Sequence, residues 1–517
     1  MITEDQRAVL DCLSRPDTYG PGCGRVDRID THSAVVFLAG DRAYKLKRAV
    51  RYDYLDFSTV ERRKRFVEAE FALNRRTAPA LYRRVVPLTR GEDGVLTLDG
   101  QGTPVEWLLE MTRFDGEALC DRLAERQALP LSAMPRLAHA VADMHAGADV
   151  RPEFGGAAGM RWVVDGNAQA FEAAGDGVFP VDGRRRLAAA VERALRSTAG
   201  ALDARRERGL VRQCHGDLHL RNLVMLDGVP TPFDAVEFND DIACTDVFYD
   251  LAFLLMDLWR RGLPRHANLL LNEYVRLTGD VDGLAALPLF LSCRAAVRAK
   301  TSATAAAVVG GASAGALRDT AREYLAMAVE FLAPPPPVLV AIGGLSGAGK
   351  SVTAAALAPT LGPAPGALHL RSDVERKALL GVDPLATLGE DAYSADMSGR
   401  VYERLLGLAR GGLAAGHGVI CDAVYADAAR RTALSRVADE AGVPLVGLWL
   451  DAPPEVLVAR VAARRDDASD ATPEVVRRQV AAGVAPGDWT RVDASGDAGT
   501  TLDRVTAALD RRRVPHR

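Results

Sequence analysis

Cys214-His215-Gly216-Asp217-Leu218-His219-Leu220-Arg221-Asn222-Leu223-Val224-Met225 carries more information than any other segment of this 517-residue chain. A carboxylate, Asp217, stands five residues ahead of an amide, Asn222, and an apolar run follows. Twelve residues beyond Asn222 stands Asp234, within Pro232-Phe233-Asp234-Ala235-Val236-Glu237-Phe238. The pattern between them predicts a hairpin: a strand over 223–226, a turn at Asp227-Gly228 and a return strand over 231–233. Asp217 has the chemistry of a base for a hydroxyl proton. Asn222 and Asp234 offer one neutral and one charged oxygen to a hard cation such as Mg²⁺.

Upstream, residues 34–38, 42–46, 95–98 and 105–109 read as short strands, with an amphipathic helix over 59–76 among them. From 117 to 332 the patterns are mostly helical. The whole resembles the aminoglycoside phosphotransferase and choline-kinase branch of the kinase-like fold, whose signature reads H-G-D-x-H-x-x-N. The resemblance implies an α+β bilobal unit, with an N-lobe over 1–115 and a helical C-lobe over 116–332. It also implies an ATP clamp in the N-lobe. Ala43, Lys45 and Lys47 fall on one face of a strand. The small residue two positions earlier favours Lys45 for the phosphates, with Lys47 as the alternative. The helix offers Glu70 or Glu68 as the partner of that lysine. Glu110 and Met111 end a strand, so their backbone is expected to meet the adenine. Thr31-His32-Ser33 stands where protein kinases carry a Gly-rich loop, which moves the reading away from that branch. Asp246 and Asp250 lie one helical turn apart and suit a structural use in holding the catalytic loop or a helix start.

The clearest boundary is Pro334-Pro335-Pro336-Pro337, a stiff spacer over 333–337 that cannot enter a helix. Beyond it, over 338–517, strand and helix alternate. That alternation predicts an α/β unit with a doubly wound parallel sheet. Strands are expected at 338–342, 367–370, 419–421 and 445–450, and at Arg491-Val492-Asp493. Gly344-Leu345-Ser346-Gly347-Ala348-Gly349-Lys350-Ser351 matches G-x-x-x-x-G-K-[ST] between the first strand and a helix, which is the context a phosphate loop needs. Its glycines let backbone N–H groups curl around phosphate; Lys350 reaches the terminal phosphates and Ser351 takes a place on Mg²⁺. Asp373 follows the second strand and could act as a base, or cap the next helix. Asp422 ends the third strand, where an acid orients Mg²⁺, or it closes a plain turn. Arg460 and Arg464, spaced i, i+4, lead into a polar segment over 466–472. They suit a lid on the transferring phosphate, with solvated arginines as the alternative.

This half resembles the small-molecule kinases among P-loop proteins: gluconate and shikimate kinases, chloramphenicol phosphotransferases and zeta-toxin-type kinases. The full chain resembles bacterial fusions of an aminoglycoside phosphotransferase-like unit with such a kinase. The resemblance implies MgATP-dependent phosphorylation of small-molecule hydroxyls at two sites. The competing expectation is a regulatory protein in which one unit only binds nucleotide or restrains a zeta-like kinase.

Composition narrows the classes. The chain is 48% hydrophobic and 26% charged, as ordinary globular proteins are. A net charge of -4 argues against a dedicated nucleic-acid binder. Seven scattered cysteines without a C-x-x-C pair suit a reducing compartment. The charged N-terminus and the want of a long apolar stretch predict a cytoplasmic protein with no membrane partner. The nearest candidate, 301–317, reads as a small-residue helix broken at Gly310-Gly311. Only six of the 64 basic residues are lysines (Lys45, Lys47, Lys64, Lys300, Lys350 and Lys377), so in this Arg-rich chain each ammonium invites a specific explanation. Residues 1–332 and 338–517 each hold a full set of phosphate, metal and base residues, and each is expected to fold alone. Oligomeric state is left open.

Overall fold

A computed structural model describes every residue except Met1, Asp53, Asp466, Ala485, Pro515 and Arg517. The chain forms two compact units, residues 1–162 with 202–257 and residues 163–201 with 258–517. The proline spacer therefore lies inside the second unit. It connects helix Gly311–Phe331 to strand Leu339–Gly343.

The first unit is built on a six-stranded antiparallel sheet. Its order is Val26–Asp30, Ala34–Ala39, Arg42–Lys47, Thr103–Thr112, Tyr82–Arg90 and Leu96–Leu98. Alternation sends Val35, Phe37, Leu46, Val86, Leu88 and Leu108 to one face, where helix Arg7–Leu13 covers them. Ala43, Tyr82, Leu109 and Met111 face the other way, against Val67 of helix Val60–Asn74. The Thr59 side chain caps that helix by accepting from the Arg62 N–H. Two strands of this sheet escaped the sequence reading. Val26–Asp30 is too polar to look like a strand, and Tyr82–Arg90 is interrupted by Pro87. The hairpin pairs Leu223–Leu226 with Val229–Pro232, and its turn residues Asp227 and Gly228 both take positive φ, 48° and 77°. Strand Val211–Gln213 pairs with Cys244–Asp246 and brings the chain to Cys214–Met225.

The second unit contains a five-stranded, all-parallel sheet in the order Leu368–Arg371, Val419–Asp422, Leu339–Gly343, Leu445–Asp451 and Thr490–Asp493. The inner strands are apolar on both faces because helices cover both. Loop and helix then follow each strand, as a doubly wound α/β sheet requires. Strand Leu368–Arg371 lies at the sheet edge. Helix Pro264–Thr278 closes that edge with two side-chain amides. Asn268 and Asn272 donate to the Ala367 carbonyl at 3.0 and 3.2 Å, and Asn272 Oδ1 accepts from the His369 N–H at 2.7 Å. Residues 338–517 are thus stitched to a helix that precedes the spacer. The small-residue stretch falls across helices Leu287–Val308 and Gly311–Phe331, broken at Val309-Gly310. Among the described residues no helix is long and apolar enough to cross a membrane. The architecture is an α+β kinase-like fold followed by an α/β P-loop fold.

Candidate active sites

In the first unit, Lys45 and Lys47 share one strand face, and both reach Glu70 on helix Val60–Asn74. Lys45 Nζ lies 2.6 Å from Glu70 Oε1 and 2.5 Å from Asp234 Oδ1. Lys47 Nζ lies 2.7 Å from Glu70 Oε2 and also binds Glu237. The other carboxylate considered, Glu68, is exposed and sits 3.8 Å from Lys64. Burial alone would push the Glu70 carboxyl up, but the charges of Lys45 and Lys47 outweigh it and hold it well below its usual range. Lys47 is 3% exposed and seated over the Phe57 ring at 4.8 Å. Lys45 instead faces Asp234, whose carboxylate is 43% exposed, so Lys45 is the ammonium open to a ligand.

Asp234 takes a left-handed backbone, φ 63°, unusual for a residue with a Cβ. Two side chains secure it: the Asp234 N–H donates to Tyr82 Oη at 3.0 Å, and the Ala235 N–H to Asn74 Oδ1 at 2.7 Å. Asn222 Nδ2 donates to the Asp217 carbonyl and to Asp217 Oδ2, both at 3.0 Å. The loop itself hangs on Asp250, which is fully buried and accepts from the His215 and Gly216 N–H groups at 3.1 and 2.9 Å. His145 Nε2 reaches the same carboxylate at 3.1 Å, and Asp257 accepts from the Leu220 N–H at 3.1 Å. Asp246 holds buried Arg205 at 2.7 and 2.9 Å and accepts from the Phe248 N–H. Gly216 is obligatory, with φ 81° and only 3.3 Å between an added Cβ and the Ala243 backbone. His145, Asn74, Tyr82 and Asp257 escaped the sequence reading because each acts across the fold, through a contact no local motif announces.

One expectation needs correction. Glu110 and Met111 do not end their strand, which runs on to Thr112 between two partner strands. Their backbone groups therefore lie inside a two-sided ladder. The Glu110 carboxylate is buried against Arg42, Arg83 and Arg84. The Met111 side chain belongs to an apolar cluster with Val36, Leu38, Ala43, Phe114, Leu226 and Phe233.

In the second unit, Gly344–Gly349 leads from strand Leu339–Gly343 into helix Lys350–Leu357, with Ser351 one residue into that helix. Gly344 and Gly347 take φ 141° and 86°, and an added Cβ would come within 2.6 Å of the Leu450 carbonyl and 2.5 Å of the Leu457 carbonyl. Gly349 takes φ 87°, while Ser346 and Ala348 are buried in the loop. Lys350 folds back to the Leu345 carbonyl at 3.1 Å. Burial lowers its ammonium pKa despite the nearby charges of Asp422 and Asp373. The Ser346 N–H donates to Gln479 Oε1 at 2.9 Å, a contact from helix Pro473–Ala482 that the motif does not foretell.

Asp422 ends its strand, buried, with His369 Nε2 at 3.4 Å and Arg371 Nε at 3.9 Å. Burial works to raise its pKa, but the hydrogen bond and charge of His369, with Lys350 and Arg371, hold it below the usual value. Asp373 is the second residue of helix Ser372–Leu380; the cap position is Arg371, so Asp373 does not cap it. Burial raises the Asp373 pKa, against the pull of Lys350.

The arginine pair divides. Helix Pro454–Ala463 ends before Arg464, whose extended backbone (ψ 139°) takes it off the face that Arg460 occupies. Arg460 points elsewhere, donating to the Ala494 carbonyl at 2.8 Å and to the Gly496 carbonyl. It ties the helix to the loop after Asp493 and is not a lid arginine. Arg464 and Arg371 flank Asp467 at 3.5 and 3.0 Å, and Arg464 Nη1 and Arg371 Nε are buried without hydrogen-bond partners. Both raise the positive field felt at Lys350. Arg371 went unmarked in the sequence, although it stands two residues before Asp373. The polar segment beyond is anchored, with Asp470 bound to Tyr393 Oη at 2.6 Å and to Lys377 Nζ at 3.4 Å. Asp466, at its start, lies outside the described residues.

Both clusters suit a hard cation and phosphate. The first presents carboxylate and amide oxygens alone beside one ammonium; the second presents a glycine cradle, a hydroxyl, two carboxylates and unpartnered guanidinium N–H groups. The chain is an ATP-dependent phosphotransferase, and in each unit a lysine, carboxylates and further oxygens converge.

Parts of the chain, and nearly its whole length, match known proteins. Residues 339–486 match the AAA domain family. Among solved structures, a gluconokinase from Sinorhizobium meliloti 1021 is 20% identical, covering 34% of this chain and 94% of its own, with a TM-score of 0.25. A choline/ethanolamine kinase family protein from Mesorhizobium loti is 12% identical, covering 63% of this chain and 98% of its own, with a TM-score of 0.37. Uncharacterized protein Rv2004c of Mycobacterium tuberculosis and uncharacterized protein Mb2027c of Mycobacterium bovis are each 30% identical over 500 residues, covering 94% of this chain and 95% of theirs. Matched along nearly its whole length, the chain belongs to the family of these mycobacterial proteins.

Proposed function

We propose that the chain is a bifunctional phosphotransferase, each unit moving the γ-phosphate of MgATP to a hydroxyl of a small molecule. The carrying observation is that each unit holds its own complete constellation: Lys45, Asp217, Asn222 and Asp234 in the first, and Lys350, Ser351, Asp373 and Asp422 in the second. In the first, Asn222 and Asp234 would hold Mg²⁺; in the second, Ser351 and Asp422 would. Bound there, the ion draws charge from the phosphates during transfer. Asp217 and Asp373 take the hydroxyl proton. Lys45 holds phosphate oxygens in the first site, and the 344–351 loop with Lys350 holds them in the second. Arg464 and Arg371 supply positive charge where it develops on the transferring group.

Small-molecule hydroxyls are the acceptors in this reading, with neither nucleic acid nor membrane as partner. Seven cysteines, none of them in a disulfide among the described residues, suit the cytoplasm. Calorimetry with a non-hydrolysable ATP analogue and Mg²⁺ tests the reading: two equivalents bind per chain, and Lys350→Ala removes one. A single equivalent that Lys350→Ala leaves in place refutes the second site. Screening a metabolite extract with MgATP for 80-dalton gains then identifies the acceptors.

A second reading finds support in Gln479. Its side chain caps a loop N–H that phosphate would approach, so the second site is restrained until Gln479 moves.

A further inference from the structure

The second unit encloses a cavity of about 390 Å³ between helices Gly156–Ala174, Val181–Glu207 and Leu287–Val308. None of its lining residues belongs to either nucleotide site. Its walls are mostly apolar, with Val164, Ala168, Phe171, Leu187, Val191 and Ala296 among them. Close packing leaves few voids this large, and the volume falls in the range of small-molecule pockets.

Two polar groups in the lining are left unsatisfied. Asn167 is 4% exposed, and its Oδ1 is buried without a hydrogen-bond partner while Nδ2 reaches the Cys293 carbonyl at 3.5 Å. Arg184 pairs with Glu172 and Asp176 at the rim, yet its Nε is buried and equally unpartnered. An orphaned buried acceptor and donor are each costly unless something meets them. Apolar walls cannot. The charged side chains of the lining carry both signs, with Asp165, Glu172 and Glu192 beside Arg184 and Arg185, which favours an uncharged ligand.

We propose that this cavity binds a small, uncharged aromatic or alicyclic molecule that gives one N–H or O–H to Asn167 Oδ1 and accepts one hydrogen bond from Arg184 Nε. Such a ligand would fill space between three helices of the second unit and stiffen their packing.

Indole-3-acetamide is a suitable probe because it carries a ring N–H, an amide oxygen and no charge. Its N1-methyl analogue lacks only the ring donor. Calorimetry on the full chain should show one saturable site for indole-3-acetamide and roughly tenfold weaker binding of the methyl analogue, the worth of one buried hydrogen bond. Asn167→Leu keeps the volume and should abolish that preference. Ala168→Phe fills the cavity and should abolish binding, while both variants still bind two equivalents of the ATP analogue. If Ala168→Phe fails to fold, Asn167→Leu alone decides the question. The proposal is overturned if the wild-type chain shows no saturable binding, which would leave the cavity to solvent. It is equally overturned if Asn167→Leu keeps the tenfold preference.

Discussion

Asn272→Leu isolates the stitch between helix Pro264–Thr278 and the edge of the parallel sheet. The substitution keeps the side-chain size and removes both polar ends. The His369 N–H loses its 2.7 Å acceptor, and the Ala367 carbonyl loses one of two donors. Asn268 still serves the carbonyl, so the main penalty is one buried N–H without a partner, about 2 kcal/mol. The cost is local, because the strand keeps its ladder to Val419–Asp422 on the other side. Two kcal/mol corresponds to roughly thirtyfold more frequent opening. Hydrogen exchange read by mass spectrometry should show that acceleration at His369 and its neighbours, with strand Leu339–Gly343 unchanged. His369 also holds Asp422, so ATP turnover by the second unit should fall in parallel. Equal acceleration across all five strands would mean that the helix carries global stability. Unchanged exchange at His369 would refute the reasoning outright. The same contacts predict that residues 338–517 expressed alone are less stable than in the full chain.

Asp217→Asn should slow first-site transfer by about 10²–10⁴-fold with nucleotide affinity nearly intact, since the amide cannot take a proton; Asp234→Ala should instead weaken MgATP binding, as calorimetry would show. Gly347→Ala should cost the second nucleotide equivalent and spare the first, because its Cβ meets the Leu457 carbonyl at 2.5 Å; two retained equivalents would contradict the loop geometry. His417 is buried, its Nε2–H donates to the Gly366 carbonyl, and burial depresses its pKa from 6.5 to about 4. The unfolded chain therefore takes up that proton first, and as pH falls from 6.5 to 4 the second unit loses about 3 kcal/mol. His417→Gln should flatten that slope in urea titrations at pH 7 and pH 4.5.

What the sequence disclosed depended on how far each residue's partner lies along the chain. The phosphate loop and the Asp217–Asn222–Asp234 spacing were legible because the groups that share a ligand also share a short segment. The three inner parallel strands were legible, since burial on both faces makes them unbroken apolar runs, and the two edge strands were legible from the strand–helix alternation they complete. Strand Tyr82–Arg90 was not, because alternate charged residues and Pro87 hide its pattern. Arg460 misled for a related reason. The i, i+4 rule holds only while the helix lasts, and this one stops at Ala463. Asp250, Asn74 and Gln479 act through backbone groups 34, 161 and 133 residues away, and one sequence carries no trace of such pairings.

The two lysines meet a nucleotide from opposite electrostatic starting points. Burial works against the charge of Lys45, but Asp234 and Glu70 overcome it and raise its pKa well above the usual value. Burial lowers the pKa of Lys350, which touches only a backbone carbonyl. A phosphate entering the second site therefore breaks no carboxylate ion pair and relieves a desolvated ammonium. A phosphate entering the first must draw Lys45 from Asp234, which leaves that carboxylate exposed to the incoming negative charge. A divalent cation at Asp234 removes the conflict by neutralising the carboxylate and releasing the ammonium. Nucleotide affinity at the first site should accordingly depend on Mg²⁺ far more steeply than at the second, where the loop N–H groups and Lys350 are already in place.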